Sequence, residues 1–495
     1  MVSLRKYDNP RSITLEYSKN GFTWTPYTIG NSISLSDGEK LMFRAGKDGN
    51  VFFSSSGSGY YNFKISGSVA ARGNIMSLLD RSCALYSVPN FAFNSLFKNC
   101  KSLTSAPDLP ATELADGCYR SMFEDCTNLT KAPDLPATKL AYDCYYSMFA
   151  GCTSLTEAPA LPATKLAANC YFQMFEVCTG LTKAPALPAM ELASQCYWNM
   201  FSGCSSLIEA PALPATELAV GCYGGMFSGC TSLTETPVLP AIVLSECCYG
   251  GMFSGCTSLT KAPELPATKM ADECYSNMFA DCTSLTKAPE LPATKLAYDC
   301  YSNMFYGCTS LTEAPELPAT ELAEKCYKFM FHGCTSLTKA PELPAMKLVE
   351  ECYYYMFWGC TDLTEAPSLP ATELARYCYY SMFVVCTGLT KAPALPAMEL
   401  AEGCYEEMFW GCTSLTEAPE LPAIKLAKRC YFHMFFGCTS LNHVKALFTD
   451  EPSEITTGDW LYGVAPTGTF VKNKNATWDV RGSNGIPEGW TVVSE

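Results

Sequence analysis

Histidine is almost missing from this 495-residue chain: only His332, His433 and His443 occur. A cysteine–histidine nucleophile needs a fixed partner and a setting that favours thiolate, and three histidines against 29 cysteines single out no pair. Neither a phosphate-binding loop nor a metal-ligand cluster appears, so no enzymatic activity and no cofactor are expected. Positive charge is also scarce, with 34 Lys and Arg against 49 Asp and Glu and a net charge of -15. Without a basic patch to neutralise phosphates, nucleic acid and anionic membrane are excluded as partners. No apolar run approaches the roughly 18–20 residues of a membrane span, so no membrane insertion is expected. The N-terminal stretch MVSLRKYDNPRSITLEYS has no apolar signal-peptide core. The chain as given is expected to be soluble, whether exported in matured form, delivered inside a particle or kept in a cytoplasm.

What is abundant is repetition. Cys-Tyr dipeptides begin at Cys118, Cys144, Cys170 and onward to Cys430 with a constant step of 26, giving thirteen copies. A degenerate copy precedes them, with Ala92 and Phe93 in place of Cys and Tyr. A fixed period of this size marks a solenoid, in which no unit buries its apolar face alone and each stacks on its neighbours. In CYYSMFAGC, apolar residues at the first, second, fifth, sixth and ninth positions fall on one arc of a 3.6-residue period. This spacing predicts a short amphipathic helix with an inward CY..MF..C face, ended by glycines such as Gly151, Gly203 and Gly229. TSLTEAP then predicts one short strand stopped by its proline, and ALPATKLA an extended return anchored by Leu161 and Leu166. Strands stack about 4.8 Å apart and helices about 8–10 Å, so the array is expected to curve with its helices on the convex side. The residue before Ala-Pro reads Lys131, Glu157, Lys183, Glu209 and so on to Lys391 and Glu417, a charge ladder expected to pair neighbouring strands and penalise register slips.

The ends have another texture. Residues 1–88 alternate apolar and polar residues around Asn20-Gly21 and Asp48-Gly49, with strand candidates from SITLEYS to VFFSSS, and predict a β-sandwich-like N-terminal domain for attachment or capping. GNIMSLLD, of more helical character, leads into the array at residues 89–441. Residues 442–495 lose the sequence period and predict a C-terminal β cap, since an open solenoid end invites aggregation.

The unit MFxGCTSLTxAPxLPATxLA, recurring in register over about residues 89–441, resembles the BspA-like leucine-rich repeats of bacterial surface proteins. The ending GTFVKNKNATWDVRGSNGIPEGWTVV resembles the segment after such arrays in gut Bacteroides-type proteins and their phages and prophages. The resemblance implies a curved right-handed leucine-rich-repeat solenoid serving adhesion, without enzymatic activity. The missing signal peptide adds a virion protein, such as a phage tail component, to the cell-surface alternative.

Two cysteines per copy account for 26 of the 29, with Cys83, Cys100 and Cys247 besides. Eight residues along a helix separate the pair by about 12 Å, beyond the roughly 7 Å limit of a disulfide, and the spacing is not one of zinc sites. Buried free thiols acting as small hydrophobes are expected.

The letters after CY and after MF change from copy to copy, and they are not the bland Lys, Glu and Gln of a solvated face. Rigid aromatics mixed with Ser, Asn and Gly are the vocabulary of a recognition surface. The candidate ligand-binding residues are Tyr146, Phe172, Trp198, Tyr306, Phe329, His332, Tyr354, Tyr355, Trp358, Tyr380, Trp410, Phe432 and Phe436. The richest patch runs from Phe329 to Phe436, and Trp198 stands apart beside the glycine pairs at 224 and 250, which would leave a bare shelf. The expected function is non-enzymatic recognition of a cell-surface glycan or protein by a phage receptor-binding protein or bacterial adhesin. Other virion or surface proteins would attach through the N-terminal domain, and a homo-oligomer is a further possible partner state. The competing reading is a spacer or assembly protein whose ends carry the interactions and whose outward rings merely seal the stack.

Overall fold

The computed structural model describes residues 1–50 and 59–495; the VFFSSS strand candidate lies outside the described residues. Two compact units, Met1–Val238 and Leu239–Glu495, are built on the same rung.

In the first unit, strands β1 (Val2–Tyr7), β2 (Leu15–Ser18), β3 (Thr25–Tyr27), β4 (Met42–Ala45) and β5 (Tyr60–Ile65) make two small antiparallel sheets, β1 with β5 and a sheet ordered β3-β2-β4. Gly21 takes the left-handed conformation that turns β2 into β3. The rings of Phe43 and Phe63 meet at 5.4 Å between the two sheets. β5 also starts the array. The Phe63 amide donates to the Leu96 carbonyl at 2.7 Å, the Cys100 thiol donates to the Phe63 carbonyl at 3.0 Å, and the Phe63 ring stacks on Phe97 at 5.2 Å. Polar groups of the first repeats that would otherwise face water thus find partners in β5. The short strands β6 (Val69–Ala70) and β7 (Leu103–Ser105) pair in parallel. Between them GNIMSLLD folds as a single 3₁₀ turn, Ile75–Leu78, capped by the Asn74 side chain on the Met76 amide.

The expected helix is not there. Across CYYSMFAGC, alternate amides bond in two directions. Tyr146, Met148, Ala150 and Cys152 donate three residues back, whereas Tyr145, Ser147, Phe149 and Gly151 donate to Cys170, Phe172, Met174 and Glu176 of the next copy at 2.8–3.0 Å. An α-helix satisfies its amides four residues back and has none to spare for a neighbour. Here every fourth residue, Asp143, Ser147 and Gly151, has positive φ (55°, 48° and 73°), and the segment becomes a chain of turns bonded rung to rung. With no helix in the thirteen Cys-Tyr copies, all of them described residues, the mismatch of helix and strand spacing behind the expected curvature does not arise.

The inward face is the one expected. Cys144, Tyr145, Met148, Phe149 and Cys152 are fully buried, as are their equivalents in the other copies. Their rings form two continuous stacks in each unit: Tyr119 to Tyr223 and Phe97 to Phe227 in the first, Tyr249 to Tyr431 and Phe253 to Phe435 in the second. No disulfide joins the cysteines among the described residues, and the expectation of thiols holds there. The second cysteine of a copy also hydrogen-bonds, the Cys152 thiol donating to the Phe123 carbonyl and the Cys360 thiol to the Phe331 carbonyl, each at 3.1 Å. Burial pushes the Cys360 thiol well above its ordinary value.

The strand expected at TSLTEAP contracts to single-residue parallel bridges between many of the rungs, as between Glu157 and Lys183 or Glu313 and Lys339. Among the described residues those charges do not form the ion pairs expected of them. The pairs form in a second column on the return segment, Lys165 with Glu191 (2.8 Å), Lys295 with Glu321 (3.0 Å) and Lys347 with Glu373 (3.0 Å), all well exposed. Beside the first column, threonines tie the rungs instead: the Thr312 hydroxyl donates to the Thr286 carbonyl and Thr338 to Thr312, at 3.4–3.5 Å.

The second unit ends by widening that bridge into strands. β8 (His443–Ala446), β9 (Gly468–Lys472) and β10 (Trp490–Ser494) form a parallel sheet ordered β10-β9-β8. After the single helical turn Glu454–Thr457, the backbone repeats the turn pattern once more. Phe435 donates to the Trp460 carbonyl and Gly437 to Tyr462, while Asp459 and Gly463 have positive φ at 26 residues from His433 and Gly437. Trp460 is fully buried and continues the tyrosine stack from Tyr431 at 6.2 Å.

Candidate recognition face

The turn segment decides which outward letters are free. Of the four changeable positions, the two after CY and the two after MF, the second of each pair has positive φ: Ser121 and Asp125, Asn199 and Gly203, Asn303 and Gly307, His433 and Gly437. Left-handed backbone favours Gly, Asn and Asp, so much of the Gly and Asn expected to serve as adaptable binding vocabulary is backbone chemistry. The first of each pair carries no such restriction, and most of the aromatics stand there: Tyr146, Phe172, Trp198, Tyr354, Tyr380 and Phe432 after CY, and Tyr306, His332, Trp358, Trp410 and Phe436 after MF. Phe329 and Tyr355 are the exceptions, bulky side chains held at φ 55° and 56°.

All thirteen candidates are half-buried, and most lean on one another. In the first unit Tyr146 and Phe172 stack at 4.7 Å, with the Arg120 guanidinium 4.0 Å over Tyr146 and paired with Asp143. Burial holds the Asp143 carboxyl above its ordinary value despite that guanidinium. Among the described residues Trp198 has no stacked aromatic neighbour of this kind. Its ring lies on the glycines, so that a Cβ at Gly224 would come within 2.4 Å of it and one at Gly221 within 2.9 Å. The shelf expected beside Trp198 is filled on that side by the indole itself.

In the second unit the rings form two groups, one from Tyr306 to Tyr380 and one from Trp410 to Tyr462. Tyr306, His332 and Trp358 stack at 4.6 and 4.4 Å, and burial lowers the His332 pKa, which keeps that ring neutral in the stack. Alongside, Phe329 stacks on Tyr355 at 5.0 Å and Tyr354 on Tyr380 at 4.7 Å. Val384 interrupts the first run, after which Trp410, Phe436 and Tyr462 follow at 5.0 Å each. Phe432 touches His433 at 3.9 Å and lies 4.0 Å under the Arg429 guanidinium. Among the rings runs a polar floor: Arg429 is paired with Glu406, whose side chain is only 2% exposed, and the Ser381 hydroxyl donates to Glu407 at 2.8 Å. Burial first, then Glu407, pushes the Tyr380 hydroxyl far up, so it stays protonated.

Tyr462 and this floor escaped the sequence reading. Trp410, Phe436 and Tyr462 are 26 residues apart, and carrying the step past the last Cys-Tyr would have found the tyrosine. The Glu406–Arg429 pair had no such signal, because the partners are 23 residues apart and meet only through rung contact.

The family model for the BspA-type leucine-rich repeat region matches the chain in six copies, over residues 87–208, 223–364 and 272–416. No curated protein and no solved structure matches it.

Proposed function

From the premise that the chain belongs to the BspA-type leucine-rich repeat family, a family of surface repeat proteins that is generally not enzymatic, we propose that it recognises a cell-surface ligand through the aromatic face running from Tyr306 to Tyr462. The observation that carries the reading is the cluster of half-buried, mutually stacked rings at positions the fold leaves free. Rings already held by their neighbours lose little freedom on binding, which lowers the ordering cost of an interface. The protein would act as an adhesin of a bacterial surface or as a receptor-binding component of a phage tail, its ligand a glycan or a protein. β5 and the C-terminal sheet would serve as caps, with the N-terminal sheets also free to attach the array to a carrier.

The spacer reading draws on the same stacking, since rings that seal a stack need no ligand. The two part in a binding assay on intact gut-bacterial cells with the native protein and a variant carrying Tyr354→Ser, Trp358→Ser and Trp410→Ser. The aromatic-face reading requires the variant to lose binding while keeping its thermal midpoint within a few degrees, since half-exposed rings contribute little to stability. Equal binding by both forms moves recognition to the ends and leaves the array as length.

A further inference from the structure

The ionic groups around this face narrow what it can hold. Five cations lie on or beside the turn segments of the aromatic rungs, and each is committed. Lys328 is paired with Glu351 at 2.9 Å, Arg429 with Glu406, and Lys428 with Glu402 at 2.8 Å. Arg376 lies 3.7 Å from both Glu350 and Glu402, and the Lys325 ammonium donates to the Tyr298 hydroxyl at 3.1 Å. Carboxylates are in surplus: Glu407 and Asp459 flank His433 at 3.7 Å each with no Lys or Arg of their own among the described residues. Four of the five already carry a carboxylate partner, so a polyanionic ligand would compete with an internal pair at each of those four and would face the surplus besides.

A protein partner is no better served. The core of a protein interface is a desolvated apolar patch, and among the described residues of the second unit only Val385 and Tyr462 of these columns leave a large apolar side chain exposed, at 37% and 58%. What remains are half-buried tyrosines and tryptophans, residue types whose hydroxyl and indole N–H groups suit a ligand that is itself uncharged and rich in hydroxyls. Accepting the aromatic face as the binding surface, we infer that its ligand is a neutral glycan: an uncharged polysaccharide laid across the rungs, in preference to acidic capsules, nucleic acids or polypeptides.

The test is affinity electrophoresis of the full chain in gels cast with neutral polymers (mannan, dextran, a mixed-linkage β-glucan) or acidic ones (alginate, polygalacturonate, hyaluronan). Retardation by at least one neutral polymer is expected, changing less than about twofold between roughly 0.05 and 0.5 M salt, where screening would weaken a charge-driven complex about tenfold or more. The Tyr354, Trp358 and Trp410 to Ser variant should lose it. Glu351→Gln, which releases Lys328, should gain retardation by alginate and keep that by the neutral polymer. Salt-sensitive binding to acidic polymers that the triple variant loses overturns the neutral-glycan inference and leaves the aromatic face in place as the site. Failure of every neutral polymer to retard the native chain also overturns the inference. Neutral-polymer binding that the triple variant retains overturns the aromatic-face reading itself.

Discussion

Phe357 and Trp358 are neighbours in the chain and face opposite sides of one turn segment. Phe357 is fully buried, stacked between Phe331 and Phe383 at 5.5 and 5.6 Å, and every copy has phenylalanine in its place. Trp358 is half-exposed against His332, and its column reads Glu124, Ala150 and Ser202 in the first unit and Tyr306, Val384 and Trp410 in the second. Both side chains stack on a neighbouring rung, so stacking alone does not fix a residue. The inward ring has packed atoms on all sides, where a smaller residue leaves a void and a larger one a clash. The outward ring has water on one side, and the fold accepts Ala, Ser or Glu there equally.

That contrast sets the largest expected effect. Phe357→Ala should destabilise the second unit by about 3–5 kcal/mol, whereas Trp358→Ala should cost about 1 kcal/mol or less. Urea midpoints of the two variants measure the difference directly, and equal losses would make the outward stack as structural as the inward one.

Thiol labelling sharpens the same comparison by rate. Cys83 and Cys247 are the two cysteines that are only partly covered, but Cys247 is pushed up to about 12 by burial and then by the Glu273 carboxylate 3.6 Å away. Because the thiolate is the reacting form, alkylation near neutral pH should label Cys83 first, Cys247 about a hundredfold or more slowly, and the buried columns only on unfolding. A raised pKa means the rate at Cys247 climbs as pH rises towards that value, and Glu273→Gln, which removes a negative neighbour, should accelerate it. Peptide mass mapping over time gives the order; early labelling of the column cysteines would show that the array opens locally.

A third contrast lies along the backbone. Gly333 has φ 72° and room for a Cβ, which would meet only the Gly307 backbone at an ordinary contact distance of 3.8 Å. Val385 holds the equivalent position at φ 59°, with a branched side chain that disfavours it. Gly333→Val should therefore destabilise by about 1–2 kcal/mol through conformation alone, and Val385→Gly should stabilise by about 0.5–1 kcal/mol. Thermal midpoints moving in the same direction for both would mean that packing, not the sign of φ, governs the column.

The array, its period and its inward face were legible because burial selects residue types that recur every 26 positions. The helix was misread for a physical reason. Inward pairs spaced four apart fit a helical period, and an equally regular chain of turns puts the same residues inside. The signal against a helix was in plain view: Gly117, Asp143, Asn169, Gly221 and Gly403 before the Cys-Tyr pair, followed by Gly, Asn, Asp or Ser at four and eight residues in many copies, a spacing no helix needs. Most of the aromatic candidates do come together in the second unit. The filled surface beside Trp198 was not legible, since it depends on which way the indole leans, and neither was the polar floor near Tyr380, since it depends on contacts between copies.

The smallest expected effect concerns the charged columns, which also divide into a covered and an open case. Lys347 and Glu373 are paired at 3.0 Å with 75% and 66% of their side chains exposed, so water screens the attraction and two long side chains must be ordered to make it. Glu373→Gln should leave the urea midpoint unchanged within error. Glu406 is 2% exposed among the rings and shares its carboxylate with Arg429, and its removal strands a guanidinium in a half-covered site. Glu406→Gln should lower the midpoint measurably and, by loosening the floor, shift the tryptophan fluorescence of Trp410 to the red. If the exposed pair proved the costlier of the two, the return segment and not the aromatic face would be the place where this array holds its register.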